Sequence, residues 1–237
     1  MIDAVIIDFD DTLCLTQEAA FKLENETLRR MGRSPMTLEM HKSTWGMPMY
    51  EAISLRSPGV DADEFVKVHP AIHEEMIGRG EIDIVTDENL KVLDRLAEGG
   101  KKLMILTSRT EMEAKYLLEP THALAHRITT FYHKGNMTYH KPDPRAFEVI
   151  ERDHGLTGSQ CVYVGDSPGD AAAAQGAGIY FIANLESGLR ERSSFDGYKV
   201  DAFINKFTDL YEAVLDLDAS KARAAHNHEA ADTTYLH

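Results

Sequence analysis

The sequence predicts an α/β protein, a Rossmann-like open parallel sheet with a mostly helical cap inserted after the first strand. Three observations predict it. From residue 86 onward, short apolar runs of strand length alternate with segments of helical periodicity. Those runs are apolar throughout rather than in alternation, as strands buried on both faces are. Residues 15–85 break the alternation, are too long for a loop, and have helical periodicity of their own.

The first strand is read at residues 4–7, ending in Asp8. In residues 16–31 the apolar side chains Ala19, Phe21, Leu23, Leu28 and Met31 recur at helical spacing, and Gly32 closes the segment. Short helical pieces follow, broken by Pro35, Gly46, Pro48 and Pro58-Gly59, with one strand candidate at residues 82–84. Leu90, Val92, Leu93 and Leu96 mark a helix that Gly99-Gly100 ends. Strands are then expected at 103–106, 128–132, 161–164, 179–182 and 201–204, with helices at 111–118, 144–154 and 171–175. The expected division is a core of 1–14 and 86–215, a cap of 15–85, and a polar, Ala-rich C-terminal tail of 216–237, read as either a loosely held helix or an unstructured end.

Composition narrows the function classes. A chain of 237 residues with 43% hydrophobic content can bury a sizeable core. Asp and Glu outnumber Lys and Arg by 39 to 25, a net charge of −14. Such a surface is unsuited to nucleic acid or anionic lipid, so no nucleic-acid or membrane partner is expected. Cys14 and Cys161 cannot form a disulfide framework. With no apolar run of spanning length and no signal-like start, this suggests a cytoplasmic protein.

In an open parallel sheet, ligands bind beyond the carboxyl ends of the strands. Four polar sets stand there: Asp8-Phe9-Asp10-Asp11-Thr12, Thr107-Ser108, His140-Lys141-Pro142, and Gly165-Asp166-Ser167-Pro168-Gly169-Asp170. Alternation puts Asp8 and Asp10 on one side of an extended chain. Carboxylates that close either take up a proton or share a cation. An all-oxygen cluster of Asp8, Asp10, Asp166 and Asp170 suits a hard ion such as Mg²⁺.

These four sets resemble, in order, the four signatures of the haloacid dehalogenase superfamily, spanning residues 8–170. The inserted segment resembles the helical cap of its first capped subclass, as in phosphoglycolate phosphatases and β-phosphoglucomutases. The resemblance implies Mg²⁺-dependent hydrolysis of a small-molecule phosphate monoester. Asp8 would be the nucleophile that forms an aspartyl-phosphate, and Asp10 the general acid and then base. Thr107 would hydrogen-bond the phosphoryl group, and Lys141 would pair with Asp8 and the phosphoryl oxygens. Mg²⁺ would be held by Asp8, Asp166 and the Asp10 main-chain carbonyl, with Asp170 behind. Asp10 argues against carbon–halogen cleavage, because dehalogenating members lack that acid. Asp11 stands where glycine is more usual, and Arg109 where a smaller or amide residue is. The candidate substrate-binding set is Ser108 and Arg109, the latter touching substrate, cap residues or only the surface, with Trp45, Gly46 and Met47 as the cap segment, either a loop facing the substrate or cap core.

Blander readings stand beside these. Thr12 shapes the turn through nearby backbone, and Ser108 and Ser167 either face phosphate or cap helices. The i, i+4 pairs His69/His73 and His122/His126 read as exposed helix histidines, and both cysteines as buried small hydrophobes. A β-phosphoglucomutase-like mutase would use the same residues. A non-catalytic phosphate-binding or regulatory module would not need Asp10.

Overall fold

The computed structural model describes residues 1–47 and 49–233, with side chains to 224. These residues divide into two compact units, one of Met1–Leu13 with the chain from Val85 onward, the other of Cys14–Ile84.

The Cys14–Ile84 unit is helical, built from α1 (Thr16–Arg30), α2 (Leu38–Ser43), α3 (Met49–Arg56) and α4 (Ala62–Gly78). Thr37 and Asp61 cap α2 and α4 by accepting from Met40 and Glu64 amides. Its apolar contacts form two clusters, Leu23, Ile72, Met76 and Ile82 in one, Leu28, Met36, Ile53 and Phe65 in the other. Between helices sits a buried ionic knot. Arg56 Nη1 donates to both oxygens of Glu24 at 2.6 and 2.7 Å, and His41 Nε2 lies 3.4 Å from Glu24. Burial pushes the Glu24 carboxyl up, but His41 and Arg56 more than reverse this and leave it below its ordinary value. The strand candidate at 82–84 is not a strand, because Asp83 adopts a left-handed φ of 54° that interrupts extended backbone. Cys14 Sγ lies 3.2 Å from the Ile84 carbonyl, joining the two ends of the unit.

In the other unit, β1 (Ala4–Ile7), β2 (Lys102–Leu106), β3 (Thr130–Tyr132), β4 (Cys161–Gly165), β5 (Tyr180–Asn184) and β6 (Ala202–Ile204) form one parallel sheet. Their spatial order is β3-β2-β1-β4-β5-β6. Strand order therefore reverses between β1 and β4, which opens a crevice at their carboxyl ends. Register aligns those ends, with Ile7 beside Ile105 on one side and Val164 on the other. Asp8, and one residue further along their own strands Thr107 and Asp166, thus leave the sheet at one edge. All four β1 side chains are buried, as an apolar central strand requires.

The helices of this unit are α5 (Asp87–Glu98), α6 (Glu111–Ala114), α7 (Glu148–His154), α8 (Pro168–Gly176) and α9 (Leu210–Thr233). Thr86 caps α5, and Gly100, at φ 79°, turns the chain into β2. The helix expected at 111–118 tightens after Ala114 into a 3₁₀ turn, and the one at 144–154 begins with a 3₁₀ turn at Pro144–Phe147. Of the two readings of the tail from 216, the helix is the one described, as a continuation of α9 to Thr233; Leu210 and Val214 are buried, and Asp218 accepts from the Ile2 amide at 2.5 Å and from Lys101. Residues 234–237 of that expected tail lie outside the described residues.

Candidate active site

Main-chain pairing fixes the position of Asp8. Its amide donates to the Val164 carbonyl at 2.9 Å, which extends the β1–β4 ladder by one residue. The chain then turns sharply through Asp11, whose φ of 54° is left-handed. Asp tolerates this region better than most residues, and glycine would adopt it without steric cost. Two buried amides hold the turn. Asn184 Nδ2 donates to the Thr12 carbonyl at 3.0 Å, and Asn89 Nδ2 to the Leu13 carbonyl at 3.0 Å. The Thr12 hydroxyl makes no hydrogen bond among the described residues; its carbonyl, not its side chain, anchors the turn.

One carboxylate oxygen each of Asp8, Asp166 and Asp170 lies within 4.8 Å of the others. Lys141 Nζ, 8% exposed, stands 2.9 Å from Asp8 and 2.8 Å from Asp170 and donates to the Tyr163 hydroxyl at 2.7 Å. Lys141 follows the end of β3 by nine residues, and its peptide bond to Pro142 is cis. Asp170 is the third residue of α8 and closes a capping box with Ser167. Its Oδ1 accepts from Lys141 and from the Tyr163 hydroxyl at 2.9 Å, its Oδ2 from the Ser167 amide and hydroxyl at 3.0 and 2.6 Å. With both oxygens doubly engaged, Asp170 holds the ammonium as well as standing in the carboxylate group. Ser167 is thus a helix cap. A Cβ on Gly165 would come within 2.7 Å of the Asp170 side chain, so only glycine lets this carboxylate in.

Electrostatics follow from the crowding. Burial raises the Asp8 carboxyl to about 7; Lys141 pulls it down, while Asp170 and Asp10 push it up. Burial also lifts Asp166 well above the usual range, with Asp170, Asp8 and Asp11 adding to it. Burial lifts Asp170 too, but Lys141 and its hydrogen bonds to Ser167 and Tyr163 bring it below the ordinary value. Burial would lower Lys141, yet Asp170 and Asp8 hold it above its ordinary value as a fixed cation. Three carboxylates and one ammonium leave uncompensated negative charge among oxygen donors alone. That donor set fits a hard divalent cation.

The remaining expected residues are placed as follows. Thr107 is buried, its amide donating to the Tyr132 carbonyl at 3.0 Å and its Oγ1 accepting from the Arg109 amide at 3.2 Å. Ser108 is exposed and does not cap α6, which Thr110 caps. The Asp10 carboxylate stands outside the metal-competent trio and pairs with Arg109, Oδ1 lying 2.6 Å from Nη2. Trp45, Gly46 and Met47 belong to the helical unit, in the turn between α2 and α3, where the Trp45 ring centroid lies 5.2 Å from that of His41. His69, His73 and His122 are half-buried rather than exposed: Phe65 packs against His69, the His69 and His73 rings stack, and Tyr116 packs against His122. Both cysteines are buried, and neither forms a disulfide.

Sequence reasoning missed Tyr163, Asn184 and Asn89. Asn184 ends an apolar strand, so the rule that found the other sets points to it as well. Tyr163 lies inside a strand and Asn89 inside a helix, where side-chain type gives no such signal.

A parallel sheet whose reversal point gathers an aspartate cluster around one buried lysine is an arrangement suited to phosphoryl transfer. The chain belongs to the haloacid dehalogenase-like hydrolases, whose family model matches residues 5–184. It is 29% identical over 201 residues to a phosphoglycolate phosphatase of Rhodobacter capsulatus, covering 78% of this chain and 85% of the relative. It is 24% identical over 212 residues to the pyrophosphatase PpaX of Bacillus velezensis, covering 88% and 94%. Among solved structures, CbbY from Rhodobacter sphaeroides in complex with phosphate shares the fold at a TM-score of 0.69 and 19% identity, over 89% of this chain and 96% of that one. None of the helices among the described residues is long and apolar enough to cross a membrane.

Proposed function

We propose that the protein hydrolyses a small-molecule phosphate monoester through an aspartyl-phosphate on Asp8, with Mg²⁺ as cofactor. The observation that carries this reading is Asp8 itself, buried, paired with Lys141 at 2.9 Å and grouped with Asp166 and Asp170. Asp8, Asp166 and the Asp10 carbonyl would hold the ion, which neutralises charge on the nucleophile and the phosphoryl group. An Asp8 oxygen attacks phosphorus as the ester P–O bond breaks, and Asp10 protonates the departing oxygen. Asp10 then takes a proton from water, whose oxygen attacks phosphorus, and the Asp8–phosphorus bond breaks to release inorganic phosphate. Lys141 keeps its proton throughout and meets the phosphoryl oxygens. Thr107 and Ser108 donate to the phosphoryl group, and Asp170 and Tyr163 position Lys141.

Relatives acting on phosphoglycolate and pyrophosphate set the first substrates to try. Inorganic phosphate release is measured over phosphoglycolate, pyrophosphate, sugar phosphates and nucleotides. Turnover of at least one, lost in EDTA, restored by Mg²⁺ and abolished in a folded Asp8→Asn variant, is the expected result. Turnover that survives Asp8→Asn refutes the nucleophile. Isomerised sugar phosphate in place of free phosphate would show a mutase.

A further inference from the structure

Arg109 and Asp10 form a bidentate ion pair. Nη2 lies 2.6 Å from Oδ1, and Nε 3.0 Å from Oδ2. The guanidinium also sits 4.6 Å over the Phe9 ring, with Nη1 3.4 Å from the Tyr116 hydroxyl. The pair is thus a fork matched to a carboxylate and packed on an aromatic face. Its two side chains are 14% and 34% exposed, Asp10 being the more open.

This pairing conflicts with the role proposed for Asp10. An acid/base carboxylate has to present an oxygen to the leaving group and then to water. Here both oxygens accept from one guanidinium; as the acid Asp10 has to carry a proton, and a neutral carboxyl loses this charge-assisted fork, so the pair has to open in every turnover. Opening it with no replacement strands a guanidinium that was fully engaged, which costs about 10- to 100-fold for hydrogen bonds between charged groups. Opening it by exchange, one anion for another, costs little. The other cation of the site, Lys141, is committed to Asp8 and Asp170.

We propose that Arg109 is a substrate-displaced latch. A second anionic group on the phosphate monoester, a carboxylate or a further phosphate, takes the guanidinium from Asp10, and the same event frees Asp10 for proton transfer. Arg109 thereby determines specificity for doubly anionic esters over esters with neutral tails. This deepens the phosphatase reading and rests on it.

The test compares phosphoglycolate with ethyl phosphate, which lacks the carboxylate, by inorganic phosphate release with Mg²⁺ present. Wild type should prefer phosphoglycolate. In Arg109→Gln, kcat/KM for phosphoglycolate should fall about 10- to 100-fold, mainly through KM. Over the same preparation kcat for ethyl phosphate should rise, because the latch is gone. Arg109→Lys, which keeps the charge but not the fork, should lie between. The ratio of two substrates on one preparation does not depend on the fraction folded. An unchanged ratio, an equal fall for both substrates, or a wild-type preference for ethyl phosphate overturns the latch and leaves the phosphatase reading standing. A wild type that releases phosphate from no monoester overturns that reading.

Discussion

Replacing Lys141 with methionine removes the ammonium and keeps most of the side chain's volume. Its two carboxylate contacts, 2.9 Å to Asp8 and 2.8 Å to Asp170, are each worth about 6 kcal/mol before desolvation, at an effective dielectric of about 20. Desolvation of the ion takes back several kcal/mol. The attraction wins, since Lys141 is held above its ordinary pKa in spite of its burial. Breaking such a buried arrangement from one side should cost about 3–5 kcal/mol. Urea unfolding followed by far-UV circular dichroism at pH 7.5 in EDTA measures it. The variant's trio also has a formal charge of −3, where the native trio with its lysine has −2. Added Mg²⁺ should therefore raise the unfolding midpoint of Lys141→Met more than that of the wild type. A loss below 1 kcal/mol in EDTA, or an equal Mg²⁺ shift in both proteins, would refute the charge balance argued for this site.

Tyr163→Phe deletes the hydroxyl that accepts from Lys141 and donates to Asp170. It should cost about 1–3 kcal/mol and lower kcat more than it raises KM, since the hydroxyl positions Lys141 and is not proposed to bind substrate. Unchanged stability and kcat would show that Asp170 holds Lys141 unaided. In the helical unit, burial and then the charge of His73 depress His69 to about 4. The folded unit thus prefers neutral imidazole, so its stability is complete above about pH 6.5 and declines as pH falls toward 4. Between pH 6.5 and 4.5 wild type should lose about 2 kcal/mol more than His69→Leu, read from the fluorescence of Trp45, the chain's one tryptophan. Equal pH dependence in the two proteins would rule out a depressed His69.

Much of the architecture was legible because it is local. An apolar run such as Ala4–Ile7 followed at once by Asp8 announces a buried strand and what stands at its end. The same holds for β2 with Thr107 and β4 with Asp166. Where the reading failed, the cause was tertiary or conformational. Residues 82–84 have strand composition, but Asp83 sits in left-handed backbone. The chain after 216 reads as either a loosely held helix or a tail, and tertiary contact decides between them: Asp218 reaches Ile2 and Lys101, more than a hundred residues distant in sequence.

The sequence by itself determined the strand ends, and with them which acids and which lysine were available, because side-chain alternation and chain direction are properties of a few consecutive residues. Only the tertiary structure decided how those groups pair. It gave Lys141 to Asp8, Asp170 and Tyr163, gave Asp10 to Arg109, and anchored the nucleophile's turn on Asn184 and Asn89. Partner choice among charges depends on distance and burial, which depend on the register of strands far apart in the chain, and no local pattern encodes that.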